Sequence, residues 1–147
     1  MTAETDISRF REASDWNYEF ALKEIRNGQK RSHWIWFIFP QMRGLGFSHN
    51  SQFYGIADLK EAELYLSDPI LGPHLRAITT VLLEHNDKSA VEIFGRIDAI
   101  KVQSSMTLFD LVSPNDIFDQ VLEKYYNGKR CIQTISLINN IQQEPAQ

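Results

Sequence analysis

Apolar side chains recur along most of this chain at the three- and four-residue spacing of helices. The clearest example follows Asp68-Pro69, a capping residue followed by proline at the first helical position. This pattern predicts a helix that reaches about His85. Its apolar face consists of Leu71, Leu75, Ile78, Leu82 and Leu83.

Capping residues predict two helices near the N-terminus and a third further on. Asp6 is expected to cap a short helix, and Ser14-Asp15 to begin a second one that ends at Gly28. Asp58 is expected to cap a helix in which Leu59, Ala62 and Leu66 share a face.

The second half of the chain also contains signals for the starts and ends of helices. Ser89 and Glu92 have the spacing of a capping box, before a short helix closed by Gly95. Further helices are predicted over residues 97–112, from Ser113-Pro114 to about residue 126, and over residues 131–138.

The segment HWIWFIF, residues 33–39, is ambiguous. Ser32 is expected to cap it as a helix, but its β-branched and aromatic content also fits a buried strand. A strand needs a partner, and we find no convincing one. The sequence therefore predicts an all-α fold, one compact multihelical domain over residues 7–138, with a disordered N-terminus (1–6) and a frayed tail (139–147).

Composition changes this picture little. The 147 residues are 43% hydrophobic and 23% charged, as in ordinary globular domains. A net charge of −4 disfavours a general nucleic-acid or anionic-membrane binder. The charged N-terminus lacks the apolar core of a signal peptide, so we expect a cytoplasmic protein. The single cysteine, Cys131, excludes an intrachain disulfide, and the four histidines lack paired metal spacing, so neither a metal nor another cofactor is predicted.

The first candidate site covers residues 28–46. It lies within an interval, residues 27–57, that contains no Asp or Glu although the chain has 19 of them. Lys30, Arg31 and His33 would crowd the positive end of a helix beginning at Ser32. A bound phosphate or carboxylate would relieve that conflict. The alternative is a solvated basic pair that leads into a core helix.

Several side chains of this window could contribute to such a site. Arg43 could grip an oxyanion, and Gln41 could hydrogen-bond sugar or phosphate oxygens. Trp34 or Trp36, with Tyr54, could form a stacking wall for a base; ordinary core packing is the alternative. His33 is the candidate general acid or base if a reaction follows binding.

The second candidate site is DAIKVQSSMTLF, residues 98–109. On a helix, Lys101, Ser104, Ser105 and Leu108 share a face, so the ammonium can approach the hydroxyl groups. A lysine beside serines can help to hold phosphate or can activate a nucleophile. Buried serines also commonly hydrogen-bond back to the preceding helical turn, so a structural role stays open.

Five stretches together resemble the uncharacterised bacterial family known as domain of unknown function 1810. They are KRSHWIWFIFPQMRGLG, FYGI, YLSDPILGPHL, IFG and KVQSSMTLF, within a resemblance that runs from about Ile7 to Ile138. The resemblance implies a multihelical fold but no function. Some family members carry a calpastatin label, which does not suit a compact aromatic-rich domain because that inhibitor is disordered.

We therefore expect a pocket for an anionic small molecule, such as a nucleotide or nucleotide sugar, between the two candidate segments. Lys30, Arg43 and Lys101 would contact the anion, with the N–H groups near Ser32 assisting. Hydrolysis of the ligand is one possible outcome of binding. The alternative is a non-catalytic protein-interaction or regulatory module that uses the same surface, with an unidentified protein partner.

Overall fold

The structure, a computed structural model, describes residues 7–143 and the side chains of residues 7–141. The helices of this part of the chain are α1 (Ser8–Arg26), α2 (Ile35–Ile38), α3 (His49–Phe53), α4 (Leu59–Ser67), α5 (Leu71–Leu83), α6 (Ala90–Phe94), α7 (Arg96–Val112), α8 (Ile117–Tyr126) and α9 (Ile132–Gln143). The all-α prediction is confirmed. None of these helices is long and apolar enough to cross a membrane.

Helix α7 lies at the centre of the packing and contacts α2, α4, α6, α8 and α9. It is buried on more than one face, because Val102, Met106 and Phe109 share one face, Leu108 lies on another, and all four are fully buried. Helices α1 and α5 pack against each other, and α5 also contacts α4 and α8. The result is one core that runs through the whole helical assembly.

Local capping signals are confirmed at two helices. The Asp58 carboxylate accepts a hydrogen bond from the Glu61 N–H at the start of α4. Ser89 and Glu92 form both hydrogen bonds of a capping box, and Gly95 follows α6 with a positive φ of 83°. Asp68 accepts hydrogen bonds from the N–H groups of Ile70 and Leu71, but α5 begins only at Leu71, so the predicted helix start at Pro69 is two residues too early.

The prediction of two N-terminal helices is wrong, because α1 is a single helix of 19 residues. Ser14 does not begin a second helix; its side chain is buried on the same face as Phe10, Tyr18 and Ala21. That uninterrupted stripe has the helical period and holds the segment together. The predicted cap at Asp6 lies outside the described residues.

The HWIWFIF segment is neither the full helix nor the strand considered above. Only residues 35–38 form a helical turn, and Ser32 does not cap it. Trp34, which precedes this turn, has non-helical backbone angles, φ −139° and ψ 7°. Beyond Pro40 the chain runs beside residue 56 in an isolated parallel bridge between Met42 and Ile56.

The last two helices also differ from their predicted bounds. Helix α8 begins after an Asp116 cap, three residues beyond Ser113. Helix α9 continues past Ile138 to residue 143. The predictions for residues 1–6 and 144–147 lie outside the described part of the chain.

Candidate functional site

One surface depression has a volume of about 710 Å³, within the usual range of small-molecule pockets. It lies between the segment that leads into α2 and the junction of α6 with α7. The two segments singled out in the sequence therefore meet at one place. Its lining residues are Lys30, His33, Ile35, Trp36, Phe94, Gly95, Arg96, Ile97, Asp98, Ile100 and Lys101.

An ion-pair cluster joins the two sides of this depression. The Lys30 Nζ lies 2.8 Å from one carboxylate oxygen of Asp98, and the Lys101 Nζ lies 3.7 Å from the other. The Lys30 side chain is only 8% exposed, and its ammonium also donates to the Ser32 carbonyl at 2.5 Å. Its charge is therefore largely engaged within the protein.

Lys101 is more accessible, because its side chain is 23% exposed and its distance to Asp98 is longer. Its ammonium lies 5.4 Å from the centre of the Trp36 ring. An amine at this distance over an aromatic face is a cation–π contact. Lys101 and Trp36 therefore offer a positive charge and a flat apolar surface side by side.

The N-terminus of α7 opens into the same depression. Gly95 precedes this helix, and no side chain of the described residues caps it. Arg96, the first residue of α7, is exposed and has no ion-pair partner among the described side chains of residues 7–141. The free N–H groups of a long helix and a nearby guanidinium both favour an anion.

Asp98 in the first turn of α7 supplies the opposing negative charge. Together Lys30, Arg96 and Lys101 carry three positive charges against this one carboxylate. The lining therefore retains a surplus of positive charge in a protein whose net charge is negative.

The expected anion near Ser32 is supplied by the protein itself, as the carboxylate of Glu24. Its Oε1 accepts hydrogen bonds from the N–H groups of Arg31 at 2.8 Å and Ser32 at 3.0 Å, and from the Trp34 indole at 2.8 Å. Its Oε2 accepts the Ser32 hydroxyl at 2.6 Å. Burial raises the pKa of Glu24, but these hydrogen bonds outweigh burial and hold the pKa below its ordinary value.

The hydrogen bonds to Glu24 fix the positions of Ser32 and Trp34. The hydroxyl and N–H of Ser32 are both used by Glu24, so they do not face a ligand. Trp34 is 0% exposed and lies outside the depression, where it packs near Phe39. Trp34 therefore belongs to the core and presents no face on which a ligand could stack.

Three further residues expected at the site lie away from the depression. Arg43 donates to the carbonyl oxygens of Gln52 and Gly55, beside the Met42–Ile56 bridge. Tyr54 packs against Phe10, Phe37 and Phe53. Ser105 is completely buried in α7, and its hydroxyl has no hydrogen-bond partner among the described residues.

Trp36 and His33 line the depression as the sequence suggested. The Trp36 ring is partly buried, and its indole N–H is buried without a hydrogen-bond partner in the described part of the chain. His33 is exposed, and its side chain has no hydrogen bond to residues 7–141. A proton could therefore pass between His33 and a molecule in the depression.

Gln41 and Ser104 line a smaller depression that adjoins the larger one. Ile97, Ile100 and Lys101 line both. Among residues 7–141, the His, Cys, Asp and Glu side chains form no group of three or more that could hold a metal ion.

Sequence reasoning missed Glu24, Arg96 and Asp98. The Asp98–Lys101 pair had a readable signal, since residues three apart on a helix are neighbours. Glu24 had none, because its partners lie 7–10 residues further on, after the chain reverses at Gly28 with a positive φ of 76°.

Comparison with known proteins places the chain in a family. A solved structure described as the conserved hypothetical protein Rv1873 from Mycobacterium tuberculosis has a TM-score of 0.89 and 42% sequence identity, over 91% of this chain and 96% of that one. No curated protein matches the chain. A family model described as "Protein of unknown function (DUF1810)" matches residues 4–138. With nearly its whole length matched, the chain belongs to this DUF1810 family.

Proposed function

We propose that the protein binds a small anionic molecule with a flat apolar group, such as a nucleotide or nucleotide sugar. The binding site is the depression between residues 30–36 and the start of α7. The observation that carries the proposal is the uncapped N-terminus of α7, which opens into this depression beside the unpaired Arg96. Helix N-termini bind phosphate and carboxylate groups through their free N–H donors.

The positive side chains are arranged for unequal roles. Arg96 and Lys101 would contact the anion, because both are accessible. Lys30 would hold Asp98 and the loop in place, because its ammonium already has two partners within 2.8 Å. From the sequence, Lys30 and Lys101 were both expected to contact the anion. The proposal now gives that role to Lys101 and a supporting role to Lys30.

The apolar lining supports the second half of the proposal. Ile97 and Ile100 are 72% and 64% exposed, although isoleucine is normally buried. They share the lining with Trp36, and together these side chains form an apolar surface next to the cations. A flat ring system laid on that surface would remove them from water.

His33 is the residue that would transfer a proton if the bound molecule is hydrolysed. Histidine is the side chain that most often transfers protons in general acid–base catalysis. His33→Ala would then abolish turnover but leave binding largely intact. In a purely binding protein, the same variant would change affinity only.

A thermal-shift titration with AMP, ADP, UDP and inorganic phosphate tests the proposal. A ligand at 100 times its dissociation constant stabilises by about 2.7 kcal/mol, which raises Tm by roughly 5–10 °C in a domain of this size. Arg96→Ala and Lys101→Ala should each reduce the shift. Arg26→Ala and Lys60→Ala are matched controls, because both residues are exposed and outside the depression.

Absence of a shift with all four compounds, at concentrations up to the millimolar range typical of weak ligands, would contradict the proposal. The exposed Ile97 and Ile100 would then favour the second candidate, a protein-interaction module. Large exposed apolar side chains at one place are typical of contact surfaces. Charged substitutions of these two isoleucines should in that case abolish capture of the partner protein.

A further inference from the structure

A second, smaller depression continues the larger one along α7. Its volume is about 180 Å³, and Ile97, Ile100 and Lys101 line both depressions. The remaining polar side chains around it are uncharged: Gln41, Ser104 and Gln133. Among the described residues, Lys101 is therefore the one charged side chain that lines the small depression, and it lies where the small depression meets the larger one with its apolar isoleucines.

Gln41 is the most informative of these residues. It is only 8% exposed, and its backbone is fixed because the backbone carbonyl accepts a hydrogen bond from the Ile56 N–H at 2.9 Å. Its side-chain amide has no hydrogen-bond partner among residues 7–141. This amide lines the small depression, so it is available to hydrogen-bond a group that the chain does not supply.

Ser104 and Gln133 add complementary groups. The Ser104 hydroxyl has one hydrogen, which it can donate to the Ile100 carbonyl at 3.2 Å or the Cys131 sulfur at 3.3 Å. Its oxygen keeps capacity to accept a hydrogen bond. Gln133 is exposed near the start of α9, and its amide both donates and accepts.

The chemistry of this compartment selects its occupant. Donors and acceptors without charge suit hydroxyl groups, which both donate and accept, better than a second phosphate. Lys101 at the junction suits an anionic linkage between the two compartments. We infer that the small depression is a sugar subsite, in which Gln41, Ser104 and Gln133 hydrogen-bond the hydroxyl groups of a sugar joined through phosphate to the flat group in the larger depression.

This inference rests on the proposed function and makes it more specific. It selects a nucleoside diphosphate that carries a second sugar over a simple nucleotide. It also assigns a specificity-determining role to Gln133, in a helix that neither candidate segment includes.

The test compares ligand pairs that differ by one sugar: ADP with ADP-ribose, and UDP with UDP-glucose. Dissociation constants are measured by isothermal titration calorimetry for the wild type, Gln41→Leu and Gln133→Ala. The control is Gln120→Leu, since Gln120 is exposed on α8 and lines neither depression.

We expect at least one sugar conjugate to bind about tenfold more tightly than its parent diphosphate, as two or more new hydrogen bonds would give. Gln41→Leu should reduce this ratio to near one without changing the affinity for the parent. Gln133→Ala should reduce it partly. Gln41→Leu should also leave the Tm of the free protein unchanged or raised, because the amide that it removes has no partner.

Each other result overturns the inference in a distinguishable way. If the parent diphosphates bind and the sugar adds no affinity, or if Gln41→Leu weakens parent and conjugate equally, the sugar subsite is refuted and the anion site stands. If none of the four compounds binds, the anion site fails as well. If Gln41→Leu does not fold, the same comparison is made with the surface variant Gln133→Ala, and an unchanged ratio refutes the subsite.

Discussion

The side chain of Glu24 fixes the loop that borders the candidate site, through the hydrogen bonds that its carboxylate accepts. It accepts four hydrogen bonds, three at Oε1 and one at Oε2. One of the donors is the indole of Trp34, which is 0% exposed and has no route to water. We predict that Glu24→Ala and Glu24→Gln have very different effects on the free energy of unfolding.

Glu24→Ala removes every acceptor at once. It leaves the buried Trp34 N–H unpaired, which costs roughly 1–3 kcal/mol, and it removes the charge-assisted bonds to the loop. We expect a total loss of about 3 kcal/mol, or a fall in Tm of roughly 10 °C.

Glu24→Gln keeps most of the arrangement. The amide oxygen can take the three donors that now meet Oε1, and the amide nitrogen can donate to the Ser32 hydroxyl, which turns to accept it. Only the contribution of the charge is lost. We therefore expect a cost of about 1 kcal/mol, within the range for a single net hydrogen bond.

The pH dependence distinguishes charge from geometry. Because the pKa of Glu24 is lower in the folded protein than its ordinary value of 4.5, the unfolded chain takes up the proton first as the pH falls. The charge therefore stabilises the fold fully above the ordinary pKa, and this stabilisation is lost as the pH falls through the lower folded value. The stability difference between wild type and Glu24→Gln should be constant at neutral pH and should shrink in acid.

Urea denaturation across this pH range measures the effect, with Glu12→Ala as the control because Glu12 is exposed on the same helix. Equal losses for the alanine and glutamine variants would refute the role of the hydrogen-bond geometry. A wild-type advantage over Glu24→Gln that persists undiminished in acid would refute the role of the charge.

Two further substitutions test the packing around the site. Gly72→Ala should cost about 3 kcal/mol in urea denaturation, because an added Cβ would lie 2.0 Å from the Leu66 carbonyl oxygen; a loss below about 1 kcal/mol would show that the α4–α5 turn can shift. Asp98→Asn should lower stability by about 2 kcal/mol, because it leaves the 8% exposed Lys30 without its ion-pair partner. That loss should be nearly the same at low and high salt, whereas the exposed Asp87→Asn should have little effect at either.

The parts of the fold that the sequence predicted are those whose signals are local. The caps at Asp58 and Ser89 use side chains that bond backbone groups three residues away, so spacing alone identifies them. The same kind of signal gave wrong predictions at Ser14 and Ser32, which were expected to begin helices. Ser14 faces the core within α1, and the Ser32 hydroxyl donates to Glu24 instead of capping a helix.

The site was partly readable for the same reason. Lys101 lies one helical turn from Asp98, and Trp36 comes from a segment whose aromatic content is plain in the sequence. Which tryptophan lines the depression could not be predicted, since Trp34 and Trp36 are equally apolar and two residues apart. Trp34 is the buried one because its indole N–H donates a hydrogen bond to the carboxylate of Glu24, ten residues earlier in the chain.

Two carboxylates of the protein, those of Glu24 and Asp98, thus contact the basic segment that precedes the aromatic residues. Glu24 satisfies the N–H groups at Arg31 and Ser32, and Asp98 neutralises Lys30. Both carboxylates stabilise the loop over residues 28–34, and neither reaches Arg96 at the start of α7. The Arg31 guanidinium lies outside the depression, so among the described residues that line it the arginine or lysine without an ion-pair partner is Arg96 of α7. A ligand's charge would consequently be bound by α7, while the aromatic segment would contribute its flat surface.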